Sequence, residues 1–329
     1  MQLQGTHDQI PSGQVPSLTG SASGTAHQGL RERHGRGIST RDLDPGGPVI
    51  RRHRLGRELR HLRESCALRL EDAAAVLGVA ASTLSRIETG RAPARASYVR
   101  VLLDLYHVDE PATRTRLTDL ARQGHRKGWW AEYERVLPNG MDIYLGLEAA
   151  ASAICVYALQ IVPALFQTPD YAAAACQAAR PELDADAINA LTEVTERRQD
   201  ILLRGHAIHA VIDESALHRT IGSADVMASQ ADHLRQLAAL PHVTVQVLQL
   251  STPQPASPVP FSLISFPDAA DEDAAATGEL SGQITVTRRH TTVRAFRDAF
   301  NGLIGAAAPP DLTASLIDEI TRPNMARMP

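Results

Sequence analysis

Ser82, Ser85 and Arg86 are spaced three and four residues apart, so on a helix they share one face and set two hydroxyls beside a guanidinium. That combination suits the reading of base edges, because one arginine can give two hydrogen bonds to the O6 and N7 of guanine. Acid–base chemistry has separate candidates further along: Glu148, Asp213, Glu214, His218 and Arg219. Nothing in their spacing fixes a mutual geometry, and the chain has no G-x-S-x-G, P-loop or H-E-x-x-H pattern. His206 and His209 are three apart, yet on a strand they face opposite sides, and no third ligand accompanies them. No catalytic residue, no metal and no cofactor is expected, and the chain is not expected to be an enzyme.

Positioning the Ser82–Arg86 face falls to the residues just before it. Positions 70–77 read as one short helix and 81–88 as a second, with Gly78 free to take the positive φ that ends the first. Val79 fills the corner, Ala74 is small enough for close helix approach, and Leu84 and Ile87 return to a core. Ala81, Ser82, Ser85 and Arg86 then face outward on a helix narrow enough for the DNA major groove. A helix beginning at Val49 puts Leu55, Leu59 and Leu62 on one face and arginines, from Arg51 to Arg63, on the others. Two more helices, at 97–106 and 113–123, complete a five-helix unit.

These motifs together resemble the Xre-type helix-turn-helix family, the phage-repressor-like DNA-binding domains, over roughly residues 49–106. The resemblance rests on the glycine turn, the run Ser82-Thr83-Leu84-Ser85-Arg86-Ile87-Glu88, the trailing Thr89-Gly90-Arg91-Ala92-Pro93 and the arginine-rich helix ahead of them. It implies that Ala81, Ser82, Ser85 and Arg86 face bases, that Arg69, Thr83, Thr89 and Arg91 meet phosphates, and that Arg63 and Glu88 form an internal ion pair. Two positions depart from the family pattern. Ala80 stands where Ser or Thr would cap the recognition helix, a loss on the order of 1 kcal/mol, and Arg69 stands near a usual Thr or Ser, where it offers an extra phosphate contact. Val76 is expected to be an isolated exposed valine.

From position 126 onward the pattern is mixed. Helices are expected at 144–152, 171–179, 184–204, 224–240, 292–307 and 312–321, and strands at 153–162, 206–212, 243–250, 261–266 and 283–287. Thr168-Pro169-Asp170 reads as a cap, a first-turn proline and a first-turn acid. The acidic, alanine-rich segment 267–279 is expected to be a solvated loop. Trp129 and Trp130 suit either a pocket wall or the seam between domains, with the seam favoured, and Cys155 an inert core position. Segments such as Gly128-Trp129-Trp130, Val162-Pro163-Ala164-Leu165-Phe166, Arg197-Arg198-Gln199 and Asp213-Glu214-Ser215 resemble the uncharacterised domain that follows an Xre-type helix-turn-helix in many regulators of high-GC filamentous bacteria. That resemblance implies a regulator, often associated with small acidic partner proteins.

Composition agrees with a folded α+β protein: an N-terminal all-α five-helix helix-turn-helix domain at 49–125 and a C-terminal mixed α+β domain at 126–329. Hydrophobic residues make up 43% and charged residues 21%, which excludes a wholly disordered chain. Residues 1–48 are rich in Gly, Ser, Pro and Gln without periodicity and are expected to be a disordered extension. The net charge of −4 hides a split: residues 49–108 carry eleven Arg against six acids, whereas residues 109–329 carry eighteen Lys and Arg against twenty-seven acids. Glu148 and Gln160 interrupt the most apolar stretch, three cysteines make no C-x-x-C pair, and no signal peptide is legible, so a cytoplasmic protein that engages no membrane is expected. Double-stranded DNA is the expected partner, and the modest basic charge implies a homodimer on a symmetric site. Two other readings stay open: a small-molecule-binding or catalytic module addressed by the helix-turn-helix, and a protein scaffold that binds no DNA.

Overall fold

The computed structural model describes residues 47–253, 257, 259–278 and 283–325. The expected disordered extension therefore lies outside the described residues except for Gly47 and Pro48. Pro48 is the first residue of α1 (Pro48–Ser65), where its fixed φ is already helical and its missing N–H leaves nothing unpaired. Then follow α2 (Leu70–Leu77), α3 (Ala81–Glu88), α4 (Ala96–Leu105) and α5 (Pro111–Gly124). Their shared core is Leu55, Leu59, Ala74, Leu84, Ile87, Val99, Leu102, Leu103 and Leu117, each almost fully buried. At Gly56 helix α1 crosses the end of α3 so closely that an added Cβ would lie 2.5 Å from the carbonyl oxygens of both Ile87 and Glu88.

The rest of the chain is a six-stranded sheet with helices. In chain order its elements are α6 (Met141–Glu148), β1 (Ala153–Ala158), α7 (Pro169–Ala179), α8 (Ala185–Arg198), α9 (Asp200–Leu203), β2 (Ala207–Asp213), α10 (Glu214–His218), α11 (Ala224–Ala238), β3 (Val243–Leu248), β4 (Phe261–Ser265), β5 (Ala274–Gly278), β6 (Ile284–Thr287), α12 (His290–Ala306) and α13 (Thr313–Met325). The strand order is β3-β2-β1-β4-β5-β6, parallel through β1, β2 and β3 and antiparallel from β1 to β6. Helix α12 covers one face, with Val293, Phe300 and Leu303 against Tyr157, Val211, Leu263 and Ala275. Helices α11 and α13 pack on each other and on β3. The protein is thus α+β, with an N-terminal helical part and a C-terminal mixed sheet.

Three expectations change. The segment 267–279 is not merely a solvated loop: Ala274, Ala275 and Ala276 are buried in β5, paired between β4 and β6. Alanine has little strand preference of its own; its small side chain is chosen here by the helix packed above it. The helix expected at 184–204 is broken at Gln199, whose buried amide donates to the carbonyl of Gln167 at 2.6 Å. The strand expected at 153–162 ends at Ala158. By contrast Thr168 caps α7 as read, accepting from the Tyr171 N–H at 3.3 Å, and Val76 is exposed.

The two halves meet along α1. Its first turn lies on Gly146 of α6, where a Cβ would come within 2.1 Å of Val49 and 3.3 Å of Trp130, so Trp130 packs this seam. Further along, Arg54 Nε donates to Asp271 Oδ1 at 3.0 Å and its Nη2 to Asp271 Oδ2 at 2.7 Å. Arg57 donates to the carbonyl of Ala270. Two of the first-helix arginines are therefore partnered by the C-terminal domain. Among the described residues no helix is long and apolar enough to cross a membrane.

Gly56→Ala forces α1 off the end of α3 and is expected to destabilise the protein by about 2 kcal/mol. Ala80→Ser is expected to stabilise it by about 1 kcal/mol, because Ala80 caps α3 in extended geometry (φ −66°, ψ 146°) with no side-chain bond. Urea unfolding midpoints of the two variants should move in opposite directions.

Candidate nucleic-acid interface

Gly78 adopts φ 66° and ψ 34°, the left-handed conformation that lets α2 stop and the chain turn. The Val79 N–H reaches back to the Ala74 carbonyl at 3.1 Å and the Gly78 N–H to Ala75 at 3.0 Å, closing the turn and satisfying two terminal carbonyls. The next helix, α3, buries Leu84, Ile87 and Glu88 and leaves Ser82, Thr83 and Arg86 exposed, with Ala81 and Ser85 at the margin. The same turn exposes Arg69 ahead of α2, and Thr89 and Arg91 after α3. The base-facing candidates lie together on α3, with the phosphate candidate Thr83 among them and Arg69, Thr89 and Arg91 flanking them in sequence.

One candidate is internally engaged. The Thr89 hydroxyl donates to the Ser85 carbonyl at 2.8 Å, so its proton is directed into the helix and not outward. Its oxygen lone pairs cannot bond an anion, and a phosphate contact from Thr89 requires the hydroxyl to rotate.

The end of α3 is held by Arg63 and Glu88. Arg63 Nε and Nη2 donate to the two Glu88 carboxylate oxygens at 2.7 and 3.0 Å, and Nη1 donates to the Leu68 carbonyl at 2.8 Å. Both side chains are buried, so removing Arg63 strands the Glu88 carboxylate, whereas Arg63 without Glu88 keeps only the more distant Glu64 at 3.7 Å. Gly90, at φ 70°, then carries the chain over His53, whose ring a Cβ would meet at 2.5 Å. Sequence reasoning missed Arg288, Arg289 and His290, which line a groove with Thr89, Gly90 and Arg91. The signal was the basic run itself, three consecutive cationic residue types between an expected strand and an expected helix.

The acid–base candidates are not gathered into one site. Glu148 is buried against Arg198, which donates to its two oxygens at 2.8 and 2.9 Å and joins α6 to α8. Asp213 caps α10 by accepting from the Ser215 N–H at 2.9 Å. Glu214 lies 2.9 Å from the His218 ring, one turn along, and accepts from the Leu250 N–H at 2.7 Å. The Arg219 N–H closes the same short helix on Ser215. His206 precedes β2, while His209 sits within it, its Nε2 2.7 Å from Gln246 Oε1; burial keeps the His209 pKa below the usual histidine range. Trp129 carries the Arg197 guanidinium over its ring at 4.7 Å. Burial raises the pKa of the Cys155 thiol, which makes it a poorer nucleophile.

Residues 54–117 match the family model of a helix-turn-helix domain, which implies DNA binding, and residues 142–319 match that of a domain of unknown function, DUF5753. No curated protein and no solved structure matches the chain. The second match spans more than half of the 329 residues. With an exposed polar helix clamped ahead of a mixed six-stranded sheet, the chain belongs to the DUF5753 family and carries its helix-turn-helix domain on the N-terminal side.

Proposed function

We propose that this protein is a sequence-specific DNA-binding regulator of transcription, a member of the Xre-type group, that acts in the cytoplasm by recruitment or occlusion at a promoter and performs no catalytic step. The observation that carries this reading is the left-handed Gly78 corner, which leaves Ser82 and Arg86 free on a helix whose opposite face is buried. Arg86 is the principal reader of a base, with Ser82 and Ser85 beside it and Ala81 limited to apolar contact such as a thymine methyl. Arg69, Thr83 and Arg91 bind phosphates and set the register.

A single eight-residue recognition helix reads few base pairs, so the active species is a homodimer on two half-sites about one helical turn apart. The C-terminal domain supplies the dimer contact, the response to an effector, or the seat of a small acidic partner protein. The scaffold reading is disfavoured by the exposure of Arg69, Arg86 and Arg91 around Ser82. A catalytic reading is disfavoured by the separate structural engagements of Glu148, Asp213 and Glu214.

Selection from a random duplex pool should enrich one sequence class. Arg86→Ala is expected to weaken binding to that class by about tenfold or more while leaving other duplexes nearly unaffected. Arg91→Ala should weaken every duplex alike and reduce the slope of log affinity against log salt by about one. If both variants bind as the parent does, α3 is not the reading element. Sedimentation of the saturated complex should give two chains per duplex; one chain on an intact site would remove the dimer.

A further inference from the structure

A cavity of about 980 Å³ opens between α1, the loop after α3 and the β6–α12 junction, within the size range of small-molecule pockets. Its walls bring Arg57 from α1, Arg91 from the loop, and Arg288 and Arg289 from beyond β6 around one volume. Among the described residues none of the four is paired with a carboxylate. Arg57 and Arg288 donate only to backbone carbonyls, those of Ala270 and Glu272. Three acids on the walls are already engaged: Asp271 by Arg54, Glu64 by Arg60 and Glu88 by Arg63. Among the described residues of the walls, Glu272 is the carboxylate left to set against four guanidiniums.

Like charges gathered in a half-enclosed space repel one another and focus a positive potential. Burial lowers the Arg288 pKa, opposed by the charges of Asp271 and Glu272. His53 on the cavity wall is held neutral, its pKa lowered to about 3 by burial and then by Arg288, Arg52 and Arg91. Ile143, Ile284 and Val286 supply an apolar surface in the same cavity.

We propose that this cavity binds a small organic phosphate, its phosphoryl oxygens held by Arg57, Arg91, Arg288 and Arg289 and its organic part lying on Ile143 and Val286. Phosphate is favoured over a carboxylate because several guanidinium forks converge, and a phosphoryl group has enough oxygens to accept from more than one. A free ligand is favoured over the DNA backbone because a rigid duplex meets only the rim of such a cavity, where Arg57, Arg91 and Arg289 are exposed, and not the half-buried Arg288.

The site stands on this geometry alone; its consequence for DNA rests on the regulator reading. Arg91 serves both the cavity and the proposed phosphate contact, so an anion bound here withdraws one cation from DNA and adds negative charge beside it. Ligand and DNA then weaken each other by the same factor.

Titration calorimetry of the full chain with inorganic pyrophosphate, at constant ionic strength, tests the site. Saturable binding of one pyrophosphate per chain is expected, weakened at least tenfold in Arg288→Gln/Arg289→Gln and unchanged in Arg126→Gln, an exposed position away from the cavity. If the double variant fails to fold, Arg289→Gln at its exposed position replaces it, with a smaller loss expected. No saturable heat, or equal affinity in the variants, overturns the proposal. If pyrophosphate does not bind but the double variant loses affinity for every duplex, these cations serve the DNA backbone and the small-ligand site is rejected. Competition with a selected duplex reads the coupling separately: were the DNA reading wrong, the calorimetric result would stand unaltered.

Discussion

The approach of α1 to the end of α3 is the constraint on which the recognition surface depends. A helix of eight residues is too short to hold itself together in water, so tertiary contacts must fix it. Gly56 lets the two backbones meet, and a few residues on, Arg63 grips Glu88 from the same helix. The glycine sets a distance without a direction, and the forked ion pair sets a direction that only the close approach makes reachable. With both in place, Leu84 and Ile87 seal the inner face, and the orientation of Arg86 follows from that of the helix.

That same first helix denies the protein the freedom of a DNA-binding domain on a flexible tether. Val49 seats on Gly146, and Arg54 and Arg57 are held by the turn around Asp268–Asp271. The acids of that turn take up Arg54, while Arg57 is held by a backbone carbonyl and keeps its charge uncompensated. The positive charge left over is correspondingly concentrated, in exposed residues around α3 and in the cavity at the seam.

Much of the helical domain was legible because its determinants are local. Gly78 needs only its own backbone conformation and a heptad-like spacing of leucines defines α1; in the C-terminal domain Thr168 likewise caps its helix through a bond spanning three residues. The Arg63–Glu88 pair was legible too, but only through resemblance, since nothing in a separation of twenty-five residues announces a contact. What escaped was set by partners far away in sequence. Ala274–Gly278 becomes a strand because β4 and β6 flank it, and Arg288 becomes a cavity wall because a loop two hundred residues earlier faces it. Acid–base candidates adjacent in sequence were a weak guide for the converse reason: Asp213 and Glu214 are neighbours, yet each is committed to the backbone of a different segment.

Val49 and Gly56 are separated by seven residues of continuous helix, so the points where α1 touches each half of the protein are roughly 10 Å apart along its axis. A rigid rod gripped at two such points acts as a lever. Rocking its first turn on Gly146 through a small angle displaces the far grip by an ångström or two, on the scale that separates a formed hydrogen bond from a broken one. The geometry thus gives α1 the lever arm by which a shift at Gly146 would reach the end of α3 that carries Arg86.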